Sequence, residues 1–248
     1  MTDIDFAEMA SVIAQLVGVF AGLAFTVLVL YLVQRDLPGR DDVHVGVASS
    51  LFAAFLTMGF NALYFAIVAG TTSSQASTLT LVHIPALAVS LLLMLLAIAL
   101  ASNDIPYMAD ARKLCKVMTV TIGPVIMCGF FTLCAFALAP DDSPGWYGLG
   151  IMLVVFLITL GFVCLPDRPA KTSRPFTQPA RIGVGMIVVD FVLNIAVAMF
   201  TPLEPHPDNE FLIVCELDNG LLITYFAFVC ADALRRTSQL QEVQPSES

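Results

Sequence analysis

Three carboxylic acids lie inside apolar stretches that are long enough to cross a membrane. Asp190 falls near the middle of one stretch, and Glu216 and Asp218 fall near the start of the next. An ionisable side chain in a bilayer costs about 2.5–3.5 kcal/mol on insertion scales, so such residues usually serve a function. No Lys or Arg lies within any predicted span to neutralise these acids. We therefore expect them to bind a proton, a cation or water.

Uncharged polar side chains are expected at similar depths in other spans. With a helical rise of about 1.5 Å per residue, His83 lies about 8 Å below the outer end of its span, and Asn61 lies in the outer half of another. Asn194 follows Asp190 by four residues and therefore shares its helix face. We predict a polar pocket in the outer half of the bundle, lined by Asp190, Glu216, Asp218, Asn194, Asn61 and His83. Asp190 and Glu216 would be the proton or cation sites.

The spacing of Glu216 and Asp218 limits what these two acids can do together. Two residues correspond to about 200° around an α-helix, so both side chains cannot face one partner. The alternative for this pair is a solvated position at the outer membrane interface. For Asp190 and His83, the alternative is a structural hydrogen bond between helices. No metal ion is predicted, because the sequence has no HExxH motif and no paired histidine spacing.

The composition indicates an integral membrane protein. Hydrophobic residues make up 58% of the chain and charged residues 12%, whereas soluble domains carry roughly 25% charged residues. No charged residue occurs between Asp42 and Asp104. A soluble fold of this size cannot bury so much apolar surface. The net charge of −9 says less than the positions of the charges, and no basic patch favours nucleic-acid binding.

Seven stretches have the length of about 20 apolar residues that a membrane-spanning helix needs. They cover residues 10–33, 46–69, 79–101, 117–138, 147–165, 182–201 and 211–233. We predict an all-α, polytopic membrane bundle of seven transmembrane helices. Residues 1–236 would form this single domain, and residues 237–248 would be a short disordered cytoplasmic tail. Pro85 and Pro124 are expected to kink the third and fourth spans.

The basic residues predict the orientation of the bundle. All eleven lie in the first, third and fifth loops or in the C-terminal tail: Arg35, Arg40, Arg112, Lys113, Lys116, Arg168, Lys171, Arg174, Arg181, Arg235 and Arg236. Because basic residues in short loops stay in the cytoplasm, the N-terminus is predicted outside and the C-terminus inside. This segregation requires an odd number of spans. Short loops without a glycosylation sequon favour a multi-pass protein of the cell membrane, specifically a bacterial inner membrane.

The cysteines and the known nucleotide and haem motifs give no cofactor site. The six cysteines form no CxxC pair and fall mostly within apolar runs, so we expect small, buried, unpaired side chains. The sequence has no P-loop and no CxxCH motif, and the last span has no Lys that could attach retinal. We therefore predict no cofactor.

The predicted topology resembles that of the small seven-span terpene cyclases, which also have carboxylates within the membrane. In that family the second helix carries a catalytic glutamate and the last helix an aspartate. The segment Leu217–Leu221 of the last span contains Asp218, which is similar to the latter position. The second span has Asn61 and no acid, so the resemblance is one of topology. It implies an enzyme in which a membrane acid protonates an olefin or an epoxide.

These features give one leading functional prediction and two alternatives. We predict a protein whose acid-containing intramembrane pocket moves or senses a small solute, a cation or a proton. The alternatives are a membrane-embedded enzyme acting on a lipidic or isoprenoid substrate, and a structural subunit whose acids meet a partner's helix. The expected partners are membrane lipids and a cation, proton or small hydrophobic ligand. A second copy of the chain or another membrane protein is a further expected partner.

Overall fold

The computed structural model describes residues 5–33, 41–102, 109–138, 146–164, 175–200 and 209–243, and these ranges are almost entirely helical. The helices are α1 (Phe6–Val33), α2 (Asp41–Ala69), α3 (Ser73–Ser102), α4 (Ala109–Val117), α5 (Gly123–Leu138), α6 (Trp146–Cys164), α7 (Gln178–Phe200) and α8 (Asn209–Val243). A π-helical turn, Met118–Ile122, joins α4 to α5. These ranges contain no β-strand.

Six helical segments are long and apolar enough to cross a membrane. They are Phe6–Val33, Val43–Ala69, Gln75–Ser102, Lys113–Ala135, Gln178–Ile195 and Glu210–Thr237. A further apolar segment in α6, Gly148–Cys164, is shorter. The described chain is thus an all-helical protein with six to seven helices that are compatible with a membrane bundle. This confirms the predicted fold class at that level, while the count of seven and the orientation stay predictions.

α3 lies at the centre of the bundle. α1, α2, α5, α7 and α8 all pack against it. In its most apolar 18-residue window 72% of the residues are buried, compared with 22% in α1. Leu92, Leu93 and Leu96 are fully buried in its C-terminal half and belong to the larger of the two hydrophobic clusters. The helix continues without interruption through Pro85. Side chains on α3 can therefore meet partners from most other helices.

α1 lies at the edge of the bundle. It packs mainly against α2 and less extensively against α3. Its remaining surface exposes large apolar side chains, among them Leu16, Val19 and Leu30. In water such a surface would be costly, but hydrocarbon chains solvate it as well as they solvate one another. The exposed face of α1 is therefore the surface expected against lipid.

The fourth apolar stretch contains a local change of helix type. The backbone N–H of Gly123 donates to the carbonyl of Met118, five residues earlier, which is the hydrogen bond of a π-turn. Pro124 follows directly and has no N–H to donate to the carbonyl four residues before it. A Cβ atom on Gly123 would lie 2.9 Å from the Met118 oxygen, so the turn needs a residue without a side chain here. Sequence analysis predicts a proline distortion at this place, and the structure shows a π-turn.

The start of α2, the approach to α7 and the end of α8 meet at one end of the bundle. Phe176 packs closely on Gly46: a Cβ atom added to Gly46 would lie 2.6 Å from the Cβ atom of Phe176. The guanidinium of Arg236 lies 5.5 Å from the centre of the Phe176 ring and 3.0 Å from the Asp232 carboxylate. α8 continues to Val243, so the first residues of the predicted disordered tail are helical. Residues 244–248 lie outside the described ranges.

Candidate functional site

The central contact of the site joins Asp190 of α7 to His83 of α3. Oδ2 of Asp190 lies 2.9 Å from Nδ1 of His83. The two side chains are 10% and 2% exposed, respectively. In the described part of the chain, neither Lys nor Arg forms an ion pair with Asp190. The imidazole ring is therefore the basic partner of this intramembrane acid.

Asn194 and Tyr64 fix the orientation of the acid. Nδ2 of Asn194, one helical turn after Asp190, donates to Oδ2 of Asp190 at 2.9 Å and to its backbone carbonyl at 2.8 Å. The Tyr64 hydroxyl of α2 lies 2.9 Å from Oδ1 of Asn194 and 3.1 Å from the Leu79 carbonyl. Both of these atoms are acceptors, so the single proton of the hydroxyl is shared between them, and the nitrogen of the Asn194 amide points at Asp190.

Aromatic rings hold the imidazole in place. The Tyr64 ring stacks on the His83 ring with a centroid distance of 3.7 Å and an interplanar angle of 28°. The Phe65 ring packs edge-on against His83, with a centroid distance of 5.6 Å. Nε2 of His83, which points away from the acid, is buried and has no hydrogen-bond partner among the described residues. A polar nitrogen in this position can exchange a proton only with something that reaches it inside the bundle.

Asn61 lies next to this cluster and is bonded to α3. Its Nδ2 donates to Oγ of Ser90 at 2.7 Å and to the Ala86 carbonyl at 3.4 Å. Its Oδ1 is buried without a partner in the described chain. Asn61 precedes Tyr64 by three residues on α2, so it lies one helical turn from the Asp190–His83 pair.

Glu216 lies elsewhere, where α8 meets α5 and α6. It is buried, and its carboxyl group forms a hydrogen bond with Thr132 of α5. Gly148 of α6 lies directly against it: a Cβ on Gly148 would collide with Oε1 of Glu216 and lie 2.9 Å from Oγ1 of Thr132. The helices that contact Glu216 thus differ from α2, α3 and α7, which hold Asp190.

Asp218 points away from Glu216, in agreement with their spacing. Its side chain is exposed, whereas Glu216 is buried. Its charge lies close enough to act on Asp190 electrostatically. Of the six predicted site residues, the structure brings Asp190, His83 and Asn194 into direct contact. It places Asn61 one turn away, Asp218 within electrostatic range and Glu216 in a separate contact.

The predicted pocket does not include Tyr64, Ser90 or Thr132. The sequence could have placed Tyr64 in the pocket, because Tyr64 follows Asn61 by three residues and shares its helix face. No feature of the sequence points to Ser90 or Thr132, because Ser and Thr are common in membrane helices and usually bond to their own backbone. Thr57 is an example: its hydroxyl donates to the Ala53 carbonyl at 2.7 Å.

An apolar groove of about 390 Å³ runs between α6 and α8. α6 contributes Ile151, Val154 and Ile158 to its lining, and α8 contributes Leu217, Leu221 and Thr224. Gly220, which follows Glu216 by one turn, also lines it. All six cysteines are free. The described residues contain no group of three or more His, Cys, Asp or Glu side chains that could hold a metal ion.

A scan against protein-family models and searches of curated proteins and of solved structures find no match to this chain. Its function must therefore be argued from the site itself. A carboxyl group bonded to an imidazole can share one proton in two ways, as carboxylate with imidazolium or as carboxylic acid with neutral imidazole. In either form the pair can bind or release a proton, because histidine changes its charge within the physiological pH range in ordinary surroundings.

Proposed function

We propose that this integral membrane protein binds and releases a proton at the Asp190–His83 pair, and that this step drives the movement or sensing of a small solute or cation. The observation that carries the proposal is the 2.9 Å contact between a buried carboxylate and a buried imidazole. Ionisable groups are retained inside membranes mainly where they take part in ion or proton pathways. Asn194 and Tyr64 are positioning residues that orient the acid toward the histidine.

The same proposal includes the topology. We propose seven membrane crossings, with α6 as the fifth, the N-terminus outside and the C-terminus in the cytoplasm, in a cell membrane. The support is the segregation of all eleven basic residues into alternate loops and the C-terminal tail. The apolar segment Gly148–Cys164 has 17 residues, or about 25 Å of helix, which is the lower end of the range of about 17–25 residues for a membrane-spanning helix.

The test reads the protonation state of the histidine ring. Protein labelled with ¹⁵N in its histidines is placed in lipid nanodiscs, and the signal of His83 is identified by its loss in His83→Gln. Spectra are recorded from about pH 5 to about pH 8. We expect the charge or the tautomer of the ring, read from its two nitrogen shifts, to differ between the wild type and Asp190→Asn. Glu210→Gln, which alters an exposed acid at the start of α8, is the matched control and should leave the spectrum of His83 unchanged.

Proton movement is measured in parallel with vesicles that contain a pH-sensitive dye. Dissipation of an imposed pH gradient, alone or with added small cations, should be faster with the wild type than with Asp190→Asn. If the His83 ring keeps one protonation state over the whole range and Asp190→Asn matches the wild type in every assay, the pair is a structural hydrogen bond and the proposal is wrong.

The apolar groove favours a second candidate function, that of an enzyme acting on a lipidic substrate. Gly220 lines the groove, and Glu216 lies one helical turn before it on α8, so an acid lies close to a space shaped for a hydrocarbon chain. In this case Glu216 would act as the general acid. Turnover of an isoprenoid or lipid substrate that is lost in Glu216→Gln and kept in Asp190→Asn would favour this function over the first.

A further inference from the structure

We infer that a proton leaves His83 through Nε2 to bound water at the interface of α2 and α3, and that this water is held by Oδ1 of Asn61, which Ser90 positions. This inference rests on the proposed function, because it assigns the exit from the Asp190–His83 pair. The path would lead away from the acid toward the end of the bundle where α2 begins.

The first observation is a set of buried polar atoms without protein partners. Nε2 of His83, Oδ1 of Asn61 and Oγ1 of Thr80 are each buried and unbonded within the described chain. The residues that carry them are 2% exposed or less. An unsatisfied buried polar group costs about 1–3 kcal/mol, and internal water is the usual partner that removes this cost. Asn61 lies against the turns of α3 that follow His83, whereas Thr80 lies one turn before His83, on the side away from Asn61.

The second observation is that Asn61 and Ser90 lie within one or two helical turns of His83. The rings of Tyr64 and Phe65, which pack against His83, follow Asn61 on α2 by three and four residues. Asn61 in turn bonds to the Ala86 carbonyl and to Ser90, which lie one and two turns after His83 on α3. A helical rise of about 1.5 Å per residue makes each turn a step of about 5 Å. This is a distance that one water molecule can bridge.

The polar face of α2 continues beyond Asn61. Thr57 and Ser50 precede Asn61 by four and eleven residues, spacings that keep all three on one side of the helix. Both are buried, and Oγ of Ser50 has no partner in the described residues. The rest of this interface is closed by apolar side chains, including Met58 and Ile84. A proton released at His83 therefore finds hydrogen-bonding groups in the direction of Ser50.

The groups that face the imidazole define the proton step. Tyr64 faces it from α2 and Asp190 from α7, while Asp218 of α8 acts on Asp190 through its charge. In the step, the carboxylic acid of Asp190 gives its proton to Nδ1 as Nε2–H gives its proton to water. One N–H bond forms and one breaks, so the imidazole is neutral before and after and has changed tautomer. The carboxylate that remains is held by Asn194.

The test measures exchange between water and the Nε2 proton of His83 by NMR in nanodiscs. We expect exchange in the wild type, and a rate at least about tenfold lower in Asn61→Leu, which removes the amide and keeps the volume. Thr159→Val is the matched control, since it removes a buried hydroxyl on α6 that bonds to its own backbone. Its exchange rate should equal that of the wild type.

Two further measurements keep the inference falsifiable. Ser90→Ala removes the partner of Asn61 with little change in volume, so it should slow exchange even if Asn61→Leu fails to fold. The ¹⁵N spectrum of His83 is recorded for each variant, and the ring should show the same charge and tautomer in Asn61→Leu and Ser90→Ala as in the wild type. Wild-type Nε2 that does not exchange with water, or variants that exchange at the wild-type rate, would overturn the path and leave the proposed function standing. A His83 ring that keeps one protonation state, together with an Asp190→Asn protein that matches the wild type in every assay, would overturn the proposed function itself.

Discussion

At the residue scale, the site is a chain of hydrogen bonds that leads through one acid. Asp190 bonds to His83 and Asn194, and Asn194 is held in turn by Tyr64. In a medium of low polarity such a network rigidifies the helices that supply it, because each member would be costly to leave unpaired. Three helices are joined in this way, so the network contributes to packing as well as to chemistry.

The contribution of Tyr64 can be measured separately from its ring. Tyr64→Phe keeps the stack on His83 but removes the hydroxyl that bonds to Asn194 and to the Leu79 carbonyl. A buried acceptor left unpaired costs about 1–3 kcal/mol, so we expect a loss of this size in the free energy of unfolding, measured by detergent titration. Tyr225→Phe removes a hydroxyl from an exposed tyrosine of α8 and should cause no change. Equal effects in both variants would contradict the hydrogen-bonding role.

The sequence identifies some of these residues for a clear physical reason. Asp190 and Asn194 are four residues apart, and helical geometry places them on one face before any tertiary structure is known. The partnership of Asp190 with His83 joins residues 107 positions apart in the chain. Depth in the membrane is readable from the sequence, but the lateral order of the helices is not. For the same reason the sequence could not show that Glu216 faces α5 and α6.

At the element scale, small residues determine how closely helices approach one another. Gly148 of α6 lies against Glu216 of α8 and Thr132 of α5, with no room for a Cβ atom. Gly150, two residues later, has no atom within 4 Å of the position where its Cβ would be. Two glycines on one helix thus have opposite surroundings, although the sequence makes them look alike.

This difference predicts opposite effects of the same substitution. Gly148→Ala must displace Glu216 or Thr132, and overpacking of this kind costs about 1–3 kcal/mol of stability. Gly150→Ala meets nothing and should stabilise the helix by up to about 1 kcal/mol, the difference in helix propensity between the two residues. Thermal denaturation of both variants in detergent provides the comparison. A Gly148→Ala protein as stable as Gly150→Ala would show that the α5–α6–α8 contact is looser than the structure indicates.

The fourth apolar stretch shows a second limit of sequence analysis at this scale. Pro124 predicts a distortion because it lacks an N–H. How the chain absorbs the missing bond depends on Gly123 and on Leu92 of α3, whose side chain would lie 3.0 Å from a Cβ at Gly123. The π-turn is therefore a tertiary outcome, set by the packing of α3 against this helix.

At the scale of the whole molecule, composition alone was enough for the architecture. A chain with 58% hydrophobic residues and no charged residue between Asp42 and Asp104 can form few soluble folds, and the described structure is all-helical. The arrangement of the helices around α3 was not predictable, because most spans are equally hydrophobic on all sides. Their sequences therefore do not show which face packs against another helix. The buried polar residues are the exception, and they mark the faces that meet inside the bundle.

The topology gives the last prediction. With seven crossings the two termini lie on opposite sides of the membrane, whereas six crossings, with α6 not spanning, would place them on the same side. We expect a fluorescent protein fused after Ser248 to mature in the cytoplasm, and alkaline phosphatase fused there to be inactive. Alkaline phosphatase fused after Gln75, between α2 and the apolar part of α3, should be active, because the loop before it has no basic residue.

Arg35 and Arg40 provide the matched test. Replacing both with Asn removes the basic residues of the first cytoplasmic loop, so it should weaken the orientation of α1 and α2 while leaving the hydrophobic spans intact. Active phosphatase after Ser248 together with active phosphatase after Gln75 would show an even number of crossings and remove α6 from the membrane-spanning set.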